Sequence, residues 1–299
     1  MNNITLIGMP GVGKSTLGVV LAKVLGYQFL DADLLIQKQE KKFLYQIIEE
    51  SGPEGFMEVE KDKRATAAQV TAAAPVGYID SVYCGSGVDG NGLRCVVFFA
   101  GCNLRCPFCH NPETLFKQGT MTDINSLVSR LERYKGYFRR GGVTLSGGEP
   151  FLQKSFALAL VSALHAKGIR CCFETNGHIA DAELIGAAEY LIVDVKNQES
   201  DDLAPYEKFF AECVRQDKEV RVTNVLVPGK NDGEEKLRAL AALVKKYFPG
   251  EPSEHIKFLP FRKLCEEKYA ELSIPFPYAG IRECERDDIE KANKILQNL

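Results

Sequence analysis

Apolar residues recur along this chain in two rhythms, and their alternation predicts the architecture. Short apolar runs at Arg94–Ala100, Gly142–Ser146, Cys171–Thr175, Tyr190–Val195, Val220–Val227 and Ile256–Phe261 have the length and composition of buried strands. Between them, apolar positions return every three to four residues over Ile124–Tyr134, Gln153–Ala166, Asp181–Ala188, Tyr206–Gln216 and Gly233–Tyr247, the spacing of amphipathic helices. Strand–helix alternation of this kind predicts βαβ units on a parallel sheet. Six such strands predict an α/β fold with a partial (β/α)6 barrel, short of the closed eight-unit form.

The beginning of the chain has a different pattern. Residues 3–8 read as a short buried strand, followed by a glycine-rich turn and a helix from Lys14 to Leu25. Gln28 to Ile36 reads as a second strand, and Phe43 to Glu60 alternates acidic and apolar residues at helical spacing. Residues 65–77 are small, nearly uncharged and end in Pro-Val-Gly, which marks a linker. This places a boundary near Val76, between a segment 1–76 and a larger domain 77–299.

Composition changes little in this picture. The 299 residues are 45% hydrophobic and carry a formal net charge of −3, which fits globular domains and argues against an all-over nucleic-acid-binding surface. No stretch approaches a membrane span, and the N-terminus lacks the basic and apolar regions of a signal peptide, so a cytoplasmic location is expected. One number stands out: the chain has ten cysteines and no tryptophan. In a reducing compartment, clustered cysteines bind metal or react more often than they cross-link.

Three of the ten are clustered. Cys102, Cys106 and Cys109 form a C-x3-C-x2-C run just after the first parallel strand, where barrel enzymes place their chemistry. Soft thiolates favour an iron–sulfur cluster or zinc. Three ligands would leave one iron of a [4Fe–4S] cluster open to a small molecule; a structural zinc site completed by His110 is the other reading. Cys84, Cys95, Cys171, Cys172, Cys213, Cys265 and Cys284 lack ligand spacing and read as core residues.

The flanks narrow the choice. Gly87-Val-Asp-Gly-Asn-Gly-Leu-Arg94, Phe98-Phe-Ala-Gly-Cys102 and Cys109-His-Asn111 surround the triplet, and Ser146-Gly-Gly-Glu149-Pro follows the second strand. With these residues the chain resembles the radical S-adenosylmethionine superfamily, within it the glycyl-radical-enzyme activating family, and most closely the branch acting on pyruvate formate-lyase. The resemblance runs from about Tyr78 to the C-terminus. It implies a [4Fe–4S] cluster on Cys102, Cys106 and Cys109. It also implies reductive cleavage of S-adenosylmethionine to a 5′-deoxyadenosyl radical, and hydrogen abstraction from a glycine of a partner enzyme. That partner is pyruvate formate-lyase by default, with flavodoxin or ferredoxin as electron donor; no nucleic acid and no membrane is involved.

Further positions follow from the resemblance. Ser146, Gly147, Gly148 and Glu149 hold the amino group of S-adenosylmethionine. Glu174, Thr175, Asn176, Asp194, Lys196, Val225 and Arg262 fall at strand ends where the family places cofactor contacts and, in pyruvate formate-lyase activases, a monovalent cation. Asp89 and Arg94 meet the partner's glycine loop, although an Asp-Gly turn before a strand is also structurally sufficient. Three positions depart from the family pattern: Glu174 stands for Asp, Thr223 for Arg and Arg262 for His. No cysteine lies between Cys109 and Cys171, so the ferredoxin-like insert of several other activases is absent.

Segment 1–76 carries its own motif. Gly8, Gly11, Gly13, Lys14 and Ser15 fit G-x4-G-K-[ST] between a strand and a helix, where backbone N–H groups cradle phosphates, Lys14 meets the terminal ones and Ser15 meets Mg²⁺. ATP with Mg²⁺ is the ligand such a loop fits. With Asp31-Ala-Asp33 and Gly52-Pro-Glu-Gly-Phe56, the segment resembles a truncated shikimate kinase. The arginine that family uses to grip its substrate is Met57 here, and its lid and later strands are absent, so independent kinase activity is not expected. The rival readings are a radical enzyme acting on a small molecule, and a bifunctional chain with residual nucleotide binding or shikimate kinase activity.

Overall fold

The computed structural model describes residues 14–25, 31–52, 75–115 and 119–298. The chain divides into two compact units, Met1–Pro75 and Val76–Leu299. In the first, α1 (Lys14–Leu25) and α2 (Ala32–Glu40) are joined by a third helix, α3, over 44–52. The strand expected over Gln28–Ile36 is overturned where it can be seen. Asp31 caps α2 by accepting the Asp33 N–H at 3.0 Å, and the apolar Leu34, Leu35 and Ile36 that suggested a strand lie on a helix instead. The expected strand at 3–8, Gly8, Gly11, Gly13 and most of the linker lie outside the described residues. Lys14 and Ser15 open α1.

The second unit is built on an eight-stranded sheet in the order β3-β1-β2-β4-β5-β6-β7-β8. Its strands are β1 (Gly77–Ser86), β2 (Arg94–Phe99), β3 (Thr120–Thr122), β4 (Gly142–Gly147), β5 (Cys171–Thr175), β6 (Tyr190–Asp194), β7 (Glu219–Leu226) and β8 (Ile256–Pro260). From β2 to β8 every pairing is parallel, and these are the six strands of the expected partial barrel. Helices α4 (Ile124–Glu132), α5 (Lys154–Ala166), α6 (Ala182–Ala187), α7 (Ala204–Arg215) and α8 (Glu234–Tyr247) return the chain between them. The core lies between sheet and helices. Val97, Val143, Leu145, Cys171, Phe173, Leu191, Val193 and Val222 on the strands meet Leu131, Leu160, Leu164, Phe209, Phe210, Leu240 and Val244 on the helices, all fully or almost fully buried.

Sequence reasoning missed β1 and β3, which add antiparallel to one edge. It also misassigned two cysteines. Cys84 and Cys95 sit directly opposite in the β1–β2 register, their Cα atoms are 4.0 Å apart, and they form a disulfide. Without β1 as a strand, nothing in the spacing could bring them together. The other five non-cluster cysteines are buried and free, as core residues. Among the described residues, no helix is long and apolar enough to cross a membrane.

Candidate active site

Parallel strands send their backbone N–H and C=O groups out at each end, and connecting loops must satisfy them or leave them for a ligand. At the C-terminal ends of β2 and β4 two loops are bound backbone to backbone. The Gly148 N–H donates to Phe99 O and the Glu149 N–H to Gly101 O, both at 2.8 Å. Gly147 adopts φ +110°, and a Cβ on it or on Gly148 would overlap the backbone at Phe99 or Gly101. The two glycines of S-G-G-E thus fix the second loop against the strand end that leads into Cys102.

Glu149 is fully buried. Its carboxylate accepts the Thr175 hydroxyl at 2.9 Å, the Asn176 N–H at 2.8 Å and the Phe151 N–H at 3.0 Å. Three donors nearly fill its acceptor positions, so it ties β4 to β5 and presents no free oxygen to solvent. Burial pushes its pKa up to about 7 against the pull of those donors. Asn176 carries the tie onward: its side-chain N–H group donates to Asn103 Oδ1 at 2.8 Å and lies 3.9 Å from Cys102 Sγ.

Cys102, Cys106 and Cys109 are all free and half-buried. The Leu104 N–H points at Cys102 Sγ at 3.4 Å. Burial raises all three thiols, Cys109 to about 11, while Lys196 pulls each of them the other way. Among the described residues no three such side chains are close enough to hold a single metal ion. His110 is occupied elsewhere, with Nε2 2.8 Å from Arg262 O.

Lys196 is the charge at the centre. It ion-pairs with Asp194, lies 5.4 Å over the Phe108 ring, and lowers the pKa of the three thiols, of buried Glu149 and of half-buried Glu174. Burial opposes its charge, but Asp194 and Cys106 hold the ammonium well above its ordinary range. Glu174 accepts the Ser146 hydroxyl at 2.6 Å; burial pushes it up to about 7, with Asp89 and Asp194 adding to the push. Two buried oxygens at neighbouring strand ends, Asp194 Oδ1 and Thr223 Oγ1, have no partner, and their residues are register partners across β6 and β7. Buried acceptors without donors suit a ligand that brings hydroxyl or ammonium groups. The donor set therefore fits both a thiolate-held cluster and S-adenosylmethionine beside it.

Other expected positions have their own partners. Val225 is half-buried on β7, and its C=O accepts from Gln198 and Asn231. The Arg262 side chain turns to Glu283 at 3.4 Å on the rim. Arg94 is 1% exposed at the opposite, N-terminal end of the strands, donating to Thr144 Oγ1 at 2.7 Å, Val143 O at 2.8 Å and Asn91 O at 3.3 Å. So enclosed, its guanidinium has no face for a partner. Asp89 is half-buried, accepts from Ser86, and its charge raises the Glu174 pKa. Sequence reading missed Asn103, Phe108, His178 and Tyr206. The first two stand between or beside the cysteines and were findable; nothing in the spacing marks the last two.

Comparison with known proteins gives this arrangement its family. Residues 88–200 match the family described as a 4Fe-4S single cluster domain, and residues 10–72 match the shikimate kinase family. The pyruvate formate-lyase-activating enzyme of Streptococcus mutans is 31% identical over 241 residues, covering 74% of this chain and 90% of that protein. Among solved structures, a radical SAM methyltransferase from Sphaerobacter thermophilus is similar at TM-score 0.49 and 18% identity, covering 79% of each chain. The pyruvate formate-lyase-activating enzyme of Clostridium pasteurianum is 30% identical over 237 residues, covering 75% of this chain and 98% of that protein. A match at this identity over nearly the whole of such a relative shows that the chain belongs to the family of pyruvate formate-lyase-activating enzymes.

Proposed function

We propose that this radical S-adenosylmethionine enzyme generates a glycyl radical in a partner protein, and that pyruvate formate-lyase, the protein its relatives are named for, is that partner. When bound, the [4Fe–4S] cluster and S-adenosylmethionine supply one-electron reductive cleavage and a hydrogen-abstracting carbon radical. Cys102, Cys106 and Cys109 would hold the cluster. The loop Ser146–Glu149 would face the methionyl amine with its backbone, while Glu149 braces that loop from behind through Thr175 and Asn176. Asp194 and Thr223 would take hydroxyl or ammonium donors on their unpartnered oxygens, and Lys196 would face the carboxylate. Asp89 is proposed as the contact for backbone N–H groups of the partner's glycine loop; Arg94 holds the loop that carries it. Flavodoxin or ferredoxin is the proposed electron donor.

One observation carries this reading: the half-buried Lys196 ammonium acts on three thiols, on buried Glu149 and on half-buried Glu174 at the C-terminal strand ends. The test is anaerobic reconstitution with iron and sulfide, reduction with dithionite, and incubation with S-adenosylmethionine and pyruvate formate-lyase. The expected result is 5′-deoxyadenosine together with a glycyl radical by electron paramagnetic resonance. No 5′-deoxyadenosine sinks the catalytic reading; 5′-deoxyadenosine without a protein radical moves it to a small-molecule substrate. Segment 1–76 is proposed to have no kinase role. Calorimetric titration with ATP–Mg²⁺ tests nucleotide binding, and binding that is lost in Lys14→Ala would revive a nucleotide role for the segment.

A further inference from the structure

Tyr206 lies on α7, outside every motif, yet it touches three parts of the site. It is fully buried. Its hydroxyl accepts the backbone N–H of Lys196 at 2.6 Å and lies 3.1 Å from His178 Nε2. The His178 ring stands edge-on to the phenol at 5.1 Å between centroids. Gly177, at φ +69°, brings the β5 loop so close that a Cβ there would lie 3.1 Å from the Tyr206 ring. The phenol is also near enough to Cys106 and Asp194 to feel their charge.

The geometry has a direction. A phenol hydroxyl can accept and donate one bond each in this setting. The Lys196 N–H donates into it, and its own hydrogen can go to His178 Nε2 when the ring is neutral and carries its proton on Nδ1. Burial lowers the His178 pKa, which favours that form; Asp202 opposes this and Lys196 adds to it. Asp202 and Lys208 face the same small cleft beside the ring. The result is one relay, Lys196 N–H to Tyr206 to His178, that pins the end of β6 to the loop after β5. Thr175 and Asn176 leave from one of these strands, Asp194 and Lys196 from the other.

We infer that Tyr206 is a positioning residue for S-adenosylmethionine: its hydroxyl, held by His178, sets the backbone of Lys196 and so the aim of the Lys196 ammonium and the Asp194 carboxylate. This rests on the reading above that Lys196 and Asp194 contact S-adenosylmethionine. Tyr206→Phe keeps the packed ring and removes only the hydroxyl; His178→Ala removes the far end of the relay; Lys196→Ala tests the contact itself.

The measurement is equilibrium dialysis of radiolabelled S-adenosylmethionine on the cluster-loaded, unreduced enzyme. Iron content and the thermal midpoint are read on the same samples. Losing one intramolecular hydrogen bond should weaken binding by roughly three- to tenfold in Tyr206→Phe. Iron content should not change. His178→Ala should weaken it less, and the double variant should bind no worse than Tyr206→Phe alone, because the two changes break one relay. Wild-type affinity in Tyr206→Phe, or losses that add in the double variant, overturns the inference while Lys196→Ala still binds poorly. Should Tyr206→Phe fail to fold, wild-type affinity in folded His178→Ala overturns it. If Lys196→Ala binds as well as wild type, the underlying reading of the site falls, and this inference with it.

Discussion

The two ends of the same parallel strands are built to opposite rules. At the N-terminal end, Arg94 places its guanidinium on Thr144, Val143 and Asn91, and Tyr190 lies between the guanidinium groups of Arg94 and Arg221 at 5.5 and 4.8 Å. The Tyr190 hydroxyl accepts the Asn91 N–H at 2.8 Å. At the C-terminal end three thiols are half-buried, two carboxylates are raised toward neutrality, and the buried oxygens Asp194 Oδ1 and Thr223 Oγ1 have no donor. A buried polar group without a partner costs stability, so a fold keeps it only where something else supplies the partner. The contrast assigns structure to one end and ligand chemistry to the other, and it can be broken at either.

The largest effect should come from Cys106→Ala. Iron content after reconstitution should fall to background and 5′-deoxyadenosine with it, while urea unfolding of the metal-free protein shifts by less than about 1 kcal/mol, since the thiol is only half-buried. A fully loaded variant would remove the cluster from these cysteines. Loading should also depend on pH. The three thiols titrate above their ordinary value because they are buried, and each must lose its proton to ligate. Rising pH therefore favours loading, and the reconstitution rate should increase roughly tenfold or more from pH 7 to 8.5.

The opposite end should respond in stability alone. Arg94→Met leaves Val143 O and Thr144 without their buried donor and should cost about 3 kcal/mol in urea unfolding of the metal-free protein. Iron content per folded chain should stay unchanged. A loss of iron in folded Arg94→Met would mean the two ends are coupled.

These ends were not equally legible in the sequence. The six parallel strands were found to within a residue or two, because a strand buried on both faces is a compact apolar run. The cysteine triplet and S-G-G-E could be read because their chemistry demands fixed local spacing. Arg94 was misread because its partners Thr144 and Val143 are about fifty residues away, and only strand pairing shows that it is enclosed. Tyr206 was missed for the same reason, since on a helix its pattern is that of any core aromatic. β1 alternates half-buried and exposed positions beside a domain boundary, so its strand character gave no compact run.

That omission hid the disulfide, which offers a smaller test at the sheet's antiparallel edge. The denatured, unreduced protein should titrate eight thiols although the chain has ten cysteines. Cys84→Ser together with Cys95→Ser should cost about 1–3 kcal/mol, because the bond spans only 11 residues and β1–β2 pairing already closes that loop. Ten titrated thiols would remove the bond.

The smallest shift is the most informative about the C-terminal end. Glu174 is pushed from an ordinary 4.5 up to about 7, first by burial and then by Asp89 and Asp194, against the Ser146 hydrogen bond and Lys196. An acid whose pKa is raised by folding binds its proton more tightly in the native state between those two values. Stability must then fall as pH rises from about 4.5 to about 7, and the full cost persists above that window. Glu174→Gln keeps an acceptor for the Ser146 hydroxyl and removes only the charge. The metal-free variant should match wild type near pH 4.5 and be about 1–2 kcal/mol more stable at pH 8, read from urea unfolding at both values. Thr144→Val at the other end should cost the same at both pH values, since no titration is involved. If wild type and Glu174→Gln run parallel from pH 4.5 to 8, this carboxylate is as well satisfied as the Arg94 cluster. The difference between the two ends then narrows to the three thiols and the unpartnered oxygens of Asp194 and Thr223.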